Sequence, residues 1–342
     1  MALASTQPPG TRPLRRATFT LIYEGKDITA DLLPVVLSLS YTDKASGESS
    51  DLDIDIINHD RLWMKDWIPT KGDKLQCKFR YDGVTEVLDC GGFEVDDFEY
   101  SGAPDKLRLS AVATSITGTL REKRTKSYEK TTLKQVATDV AGRNGLTLTG
   151  KVKDVKIDRI TQNEQSDLEF VTKLAEEYGH KTKVENGQLI FFTEAELHAQ
   201  PAVATLTDRE IKRYRITSQS QGTYKAAEIS YQNPNQKKLI THKVEDKTIK
   251  KGDTLKVKVR AESKQQAEEK AKAALEKANG GETKMDISIE GAAWAVGGAN
   301  VQITGYGRFD DKYQIESATH KLTKSGGWTT DLQLKKIGRL PS

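Results

Sequence analysis

Alternation dominates this chain: apolar and polar residues trade places over short runs, the two-residue period of strands with one face in a core. Between Met285 and Leu334 four such runs follow one another, MDISIEG, GGANVQITGYGRF, KYQIESATHKL and WTTDLQLKK. An earlier set beginning at Leu52 repeats their order as LDIDIIN, KGDKLQCKF, GFEVDDFEY and KLRLSAVAT. Met285–Ile289 falls on Leu52–Ile56, Gly298–Ile303 on Gly72–Cys77, Tyr313–Glu316 on Phe93–Asp96, and Leu332–Leu334 on Leu107–Leu109. Trp294 and Trp67 each stand shortly before the Gly-led strand. Self-similarity at so long a spacing predicts two copies of one β-domain, not a solenoid of short repeats.

The first copy gains strands at Ala17–Tyr23 and around Val35–Tyr41, and a Gly/Ser-rich loop precedes Leu52. There Leu52, Ile54 and Ile56 alternate with Asp51, Asp53 and Asp55. Period-two spacing spreads those carboxylates along an outward face and does not converge them on one ion. Asp60 is placed to cap a short helix that brings Trp63 and Trp67 together at i and i+4 before Pro69 stops it, a packing anchor. Strands at 75–81, 84–90, 93–100 and 107–113 form an antiparallel meander. If Asp82-Gly83 is a tight turn, Cys77 and Cys90 share a face but sit diagonally, too far apart to bridge easily, and read as reduced apolar filler.

The texture changes at the charged stretch Arg121–Lys126, which reads as a linker. A helix capped at Thr131 or Thr132 runs to Asn144-Gly145, and Ser166-Asp-Leu-Glu169 is a capping box for a helix burying Phe170, Val171, Leu174 and Tyr178. A hairpin turning at Asn186-Gly187 follows. Strands resume near Tyr214 and continue to Val259. A helix rich in Ala and Lys then spans 263–279, with a thin apolar stripe that suits a surface. The expected organisation is a leader at 1–16, a first β-domain at 17–120, a middle α+β domain at 121–205, and a second β-domain at 206–342.

Composition narrows the function classes. The chain of 342 residues is 36% hydrophobic and 30% charged, ordinary globular material. Its 53 basic and 49 acidic residues are interleaved, which argues against a dedicated nucleic-acid binder with a basic stripe. No apolar run is long enough for membrane insertion, and the N-terminus lacks the apolar segment of a secretory signal. The five histidines are scattered, with none at metal-ligand spacing from another, and His320 on its strand reads as a core residue. Phosphate-binding loops, HExxH and GxSxG are absent, and adjacent carboxylate pairs on turns and helix faces do not supply two carboxyls across a cleft. No catalytic residue, metal site or cofactor is expected.

The passages AEEKAKAAL and GGANVQITGYGRFDDKYQIESATHKLTKSGGWTTDLQLK, with the opening FTLIYEGKDITADLLPVVLSLSYTD and the patch SSDLDIDIINHDRLWMKDW, resemble the phage late control D family of contractile-tail hub proteins. The likeness runs from about Ala17 to Lys336. It implies a mainly β fold: two tube-type antiparallel β-barrels flanking a small α+β domain, related to the T4 baseplate hub and the hub part of VgrG spikes. It also implies a homotrimer whose six similar domains adapt a hexameric tail tube to a trimeric spike. Its partners would be the tail tube, central spike, tape measure and other baseplate proteins, in a virion assembled in the bacterial cytoplasm, with DNA only in transit through the lumen. Asp51, Asp53 and Asp55 are then candidates for lumen or neighbour contacts, and Trp63, Trp67 and Trp294 for packing anchors at equivalent places. The chain ends soon after its second barrel pattern, so the spike is expected to be a separate protein.

Two other classes are weighed by what they require. A β-barrel binding carbohydrate or single-stranded nucleic acid needs surface aromatics interleaved with basic residues on one face, whereas these aromatics fall mostly in the apolar phase of strands. A wall hydrolase needs turnover on peptidoglycan that depends on a single carboxylate.

Overall fold

A computed structural model describes residues 16–47, 49–114, 118–185, 187–218, 224–233, 238–247, 249, 252–280 and 283–337. The leader up to residue 15 and Asn186 of the expected turn lie outside the described residues. The first β region comprises β1 (Ala17–Tyr23), β2 (Lys26–Asp27), a short helix α1 (Thr29–Leu32), β3 (Val36–Lys44), β4 (Asp51–Ile57), β5 (Lys74–Tyr81), β6 (Val87–Ser101) and β7 (Lys106–Ala113). Their inward positions, among them Leu39, Tyr41, Leu52, Ile54, Phe79, Phe93 and Leu109, form one buried cluster. Burying each large apolar side chain contributes about 1.5–3 kcal/mol relative to leaving it exposed.

The loop between β5 and β6 is longer than a two-residue turn: Arg80 pairs with Val87 and Cys77 with Gly91, with an irregularity beside Cys90. The two buried, unbridged cysteines are therefore close neighbours, not a diagonal pair. Burial, with the second thiol alongside, pushes the Cys90 thiol well above its ordinary value. The tryptophan segment also departs from expectation. Its single 3₁₀ turn covers Leu62–Met64, and the Asn58 side chain, not Asp60, accepts from Trp63 N at 3.3 Å.

The middle region contains α2 (Gly118–Arg121), β8 (Lys123–Thr132), α3 (Leu133–Arg143), β9 (Thr147–Gly150), β10 (Lys156–Ser166), α4 (Asp167–Glu177), β11 (Lys181–Glu185), β12 (Gln188–Phe192) and α5 (Glu194–Ala199). Thr132 with Gln135, Ser166 with Glu169 and Thr193 with Glu196 are complete capping boxes. Most of the stretch read as a linker belongs to β8, antiparallel to β10. β8 exposes most of its side chains, so it lacks the alternation that marks a half-buried strand; Tyr128 is its buried exception.

The last region holds β13 (Ala202–Leu206), β14 (Ile211–Ser218), β15 (Tyr224–Asn233), β16 (Lys238–Glu245), β17 (Asp253–Val257), α6 (Lys264–Asn279), β18 (Thr283–Glu290), β19 (Asn300–Ile303), β20 (Asp311–Thr323) and β21 (Gly327–Lys336). β15, β16 and β17 form a separate small sheet whose core is shared with α6. That helix is more than a surface appendage. Ala267, Ala271 and Leu275 are buried, Lys270 Nζ reaches Glu177 Oε2 at 2.8 Å, and Gln266 Nε2 donates to Lys156 O at 2.7 Å, docking α6 on the middle region.

The remaining strands of the first and last regions make one 13-stranded sheet, ordered β14-β18-β21-β20-β3-β4-β7-β6-β5-β1-β2, with β19 on β20 and β13 on β19. The neighbour order β3-β4-β7-β6-β5-β1 thus recurs as β14-β18-β21-β20-β19-β13. Registers recur as well: Leu75 faces Phe93 as Val301 faces Tyr313, and Ile54 faces Leu109 as Ile287 faces Leu332. Bulges fall at Asp96 and Glu316, and again at Leu37 and Lys212. Leu332 therefore corresponds to Leu109, two residues beyond the match read from sequence, because Leu-x-Leu fits itself at any two-residue shift until pairing partners set the register. One difference is that β1 lies antiparallel on β5 whereas β13 lies parallel on β19. Among the described residues neither half closes on itself by strand pairing; the two join edge to edge.

Candidate functional surface: the joint and the polar face

The halves meet where the C-terminal part of β20 pairs antiparallel with β3, from Ser317 opposite Lys44 to Thr323 opposite Ser38. On one side of this seam Thr42 Oγ1 and Thr319 Oγ1 lie 3.3 Å apart. On the other, His320 is fully buried and stacked on Tyr41, with ring centroids 5.9 Å apart. Its Nε2–H donates to Ala295 O at 2.8 Å and its Nδ1 accepts from Thr330 Oγ1 at 3.0 Å. Burial holds its pKa down at about 4, so this core imidazole is neutral near neutrality.

Asp43 ties the three regions together, and sequence reading missed it. Its Oδ1 takes the Lys183 ammonium from β11 at 3.0 Å and Ser50 Oγ at 3.2 Å, while Oδ2 accepts from Gly297 N at 2.8 Å. Asp43 follows Leu39 and Tyr41 in the inward phase of β3. A carboxylate in that phase is the signal that marks it, since a buried charge needs a partner.

The outward phase forms one continuous polar surface across the joint. A single row of cross-strand neighbours runs Arg213, Ser288, Asp331, Thr319, Thr42, Asp51 and Val112, through β14, β18, β21, β20, β3, β4 and β7. Asp51, Asp53 and Asp55 lie on it, partly exposed. Ser110 Oγ donates to Asp53 at 2.6 Å, with Arg108 3.4 Å away, and Ser38 Oγ donates to Asp55 at 2.6 Å. Asp53 and Asp55 are thus satisfied by different neighbours, and among the described residues no group of three or more potential ligands is placed to hold a metal ion.

The tryptophans are divided. Trp63 is buried in the first core and meets Trp67 edge-on at 5.5 Å, while Trp67, Leu62, Met64 and Ile68 are exposed. The partly buried Trp294 packs on the core of the second half, in the loop whose Ala295 carbonyl binds His320. Tyr100, which corresponds to His320, donates its hydroxyl to Trp63 O. In each half, then, this strand position donates to a backbone carbonyl of the pre-strand loop, though not to the same residue of it. Among the described residues no helix is long and apolar enough to cross a membrane.

A doubled, mainly β sheet around an α+β insert is a fold shared with solved phage tail proteins. A tail protein from Neisseria meningitidis MC58 matches the fold with a TM-score of 0.68 at 16% identity, over 94% of this chain and 97% of that one. An Escherichia coli component of the type VI secretion system, described as similar in structure to T4 tail proteins, matches with a TM-score of 0.58 at 12% identity, over 94% of this chain and 79% of its own. In sequence, a probable baseplate hub protein of Escherichia phage 186 is 27% identical over 93% of this chain and 92% of its own length. The model of the phage tail baseplate hub (GPD) family matches residues 82–326. The chain belongs to that family, and its role is that of a baseplate hub in the phage tail.

Proposed function

We propose that three copies of this chain form a ring of six similar β halves, which adapts a six-fold tail tube to a three-fold spike. The repeat of neighbour order, register and bulges within one chain carries this reading. Two near-equivalent halves per chain offer six similar edges to a tube, and the differences between the halves leave a true three-fold pattern for a spike. The continuous polar face, with Asp51, Asp53 and Asp55, suits a wetted lumen through which DNA passes without being recognised. The exposed Trp67, with Leu62, Met64 and Ile68, suits a contact with a neighbouring subunit or tail protein. Expected partners are the tube, spike, tape measure and other baseplate proteins. The domain reading is that 17–120 and 206–342 act as the two ring-forming units around the insert at 121–205. Electron-microscope imaging of the purified chain, alone and mixed with the tube and spike proteins encoded beside it, tests the proposal. Three chains in a six-lobed ring are expected; a persistent monomer that recruits neither partner would refute it.

A further inference from the structure

We propose that neighbouring chains are joined by strand pairing, with Phe98–Ser101 of β6 in one copy antiparallel to Arg215–Ser218 of β14 in the next, and Glu99 opposite Thr217. This rests on the ring reading and specifies its seam.

The register follows from the internal repeat. Registers map β20 onto β6, with Thr319 at Glu99, and β3 onto β14, with Thr42 at Thr217. Within the chain, β20 of the second half takes β3 of the first. Among the described residues, the equivalent edges have no strand opposite them. β5 covers β6 only up to Glu94, leaving Asp97–Ser101 paired with β7 alone, and β14 is paired with β18 alone. A long, regular edge of this kind is a template for another strand.

Burial points the same way. Leu39 and Tyr41, inside the joint on β3, are 0% and 6% exposed, whereas Tyr214 at the Leu39 position is 61% exposed and Ile216 is only partly buried. Ala318 and His320 are fully buried on β20, while Phe98 and Tyr100 at their positions on β6 are not. Docking the two edges covers four apolar side chains at once. Charge agrees as well: Glu99 would sit diagonally from Arg215, within reach of a long side chain. The loop before β19 reaches across the internal joint through Gly297, and its counterpart before β5, which meets the free edge where the Tyr100 hydroxyl donates to Trp63 O, carries the exposed Trp67 and Ile68. The joint is head-to-tail, so repeating it propagates around a ring and does not stop at a dimer.

The test is the full-length double variant Glu99→Cys/Thr217→Cys, both positions being exposed, oxidised mildly and run on non-reducing gels. The Thr42–Thr319 contact at the internal joint sets the expected closeness of the new thiols. A covalent trimer is expected, and none from Glu99→Cys/Arg213→Cys, which is out of register. A charge reversal gives an independent reading: Glu99→Lys should weaken trimerisation at least tenfold, and adding Arg215→Glu should restore it. A wild-type trimer with no in-register cross-link and no response to Glu99→Lys would overturn this seam while leaving the ring intact. A wild-type chain that stays monomeric even with tube and spike proteins would overturn the ring and the seam together.

Discussion

Replacing Asp43 by Asn keeps its shape and an oxygen for Gly297 N, but removes the charge facing Lys183. The lysine side chain is only 14% exposed, and its other carboxylate, Glu185, stands 3.6 Å away and half exposed. Breaking a buried ion pair by removing one partner costs about 3–5 kcal/mol. Glu185 and residual solvent recover part of that, so Asp43→Asn should cost about 2–3 kcal/mol. Lys183→Met, which keeps most of the stem, should cost about 2 kcal/mol by leaving the carboxylate with Ser50 and Gly297 alone. The two variants and their combination form a cycle readable by urea unfolding, followed both by tryptophan fluorescence and by far-ultraviolet circular dichroism. A coupling of at least about 1 kcal/mol is expected for groups in direct contact. Costs that add to within about 0.5 kcal/mol would refute the pair as an energetic link.

Other outcomes follow from close contacts and titrating groups. Gly297→Ala would drive a methyl to 2.5 Å from the Lys44 carbonyl carbon and 2.6 Å from Ala45 N, so thermal unfolding should show a loss of about 1–3 kcal/mol, comparable to overpacking a core. Asp167 is buried at the start of α4. Burial alone would raise its pKa, but hydrogen bonds from Arg143, Asn144 and Gln162 and the guanidinium charge hold it below the usual carboxylate value. It therefore contributes stability above the unfolded value near about 4, lost as pH falls through the lower folded value. Asp167→Asn should reduce stability at neutral pH and flatten this acid limb in unfolding midpoints measured against pH. His180 and His320 are both held at about 4 by burial, helped at His180 by Lys153. Unfolding favours their protonation first, so stability should fall as pH drops from about 6.5 toward 4. Proton resonance titration of the imidazoles checks this; either ring titrating near 6.5 would contradict it.

The strand pattern, the duplication, the capping box at Ser166, a helix cap at Thr131 or Thr132 and the core status of His320 were legible in the residues, because period and cap chemistry are local. The hub family was legible for the same reason, since its motifs are strand-and-turn patterns in fixed order. Local pattern could not separate registers two residues apart, so Leu332 was matched to Leu107 when its structural counterpart is Leu109. Nor could it find β8, which exposes most of its side chains, or the docking of α6, whose thin apolar stripe reads as that of a surface helix while Lys270 and Gln266 tie it to the middle region. Tertiary structure alone decided that the two halves fuse through β20 and β3, that Asp43 closes against Lys183 and Gly297, and that one polar face runs through both. The physical reason is range. Backbone hydrogen bonds between strands carry no residue identity, so which edges meet depends on the packing of cores far apart in the chain, and a sequence pattern records only that each strand has a face to bury.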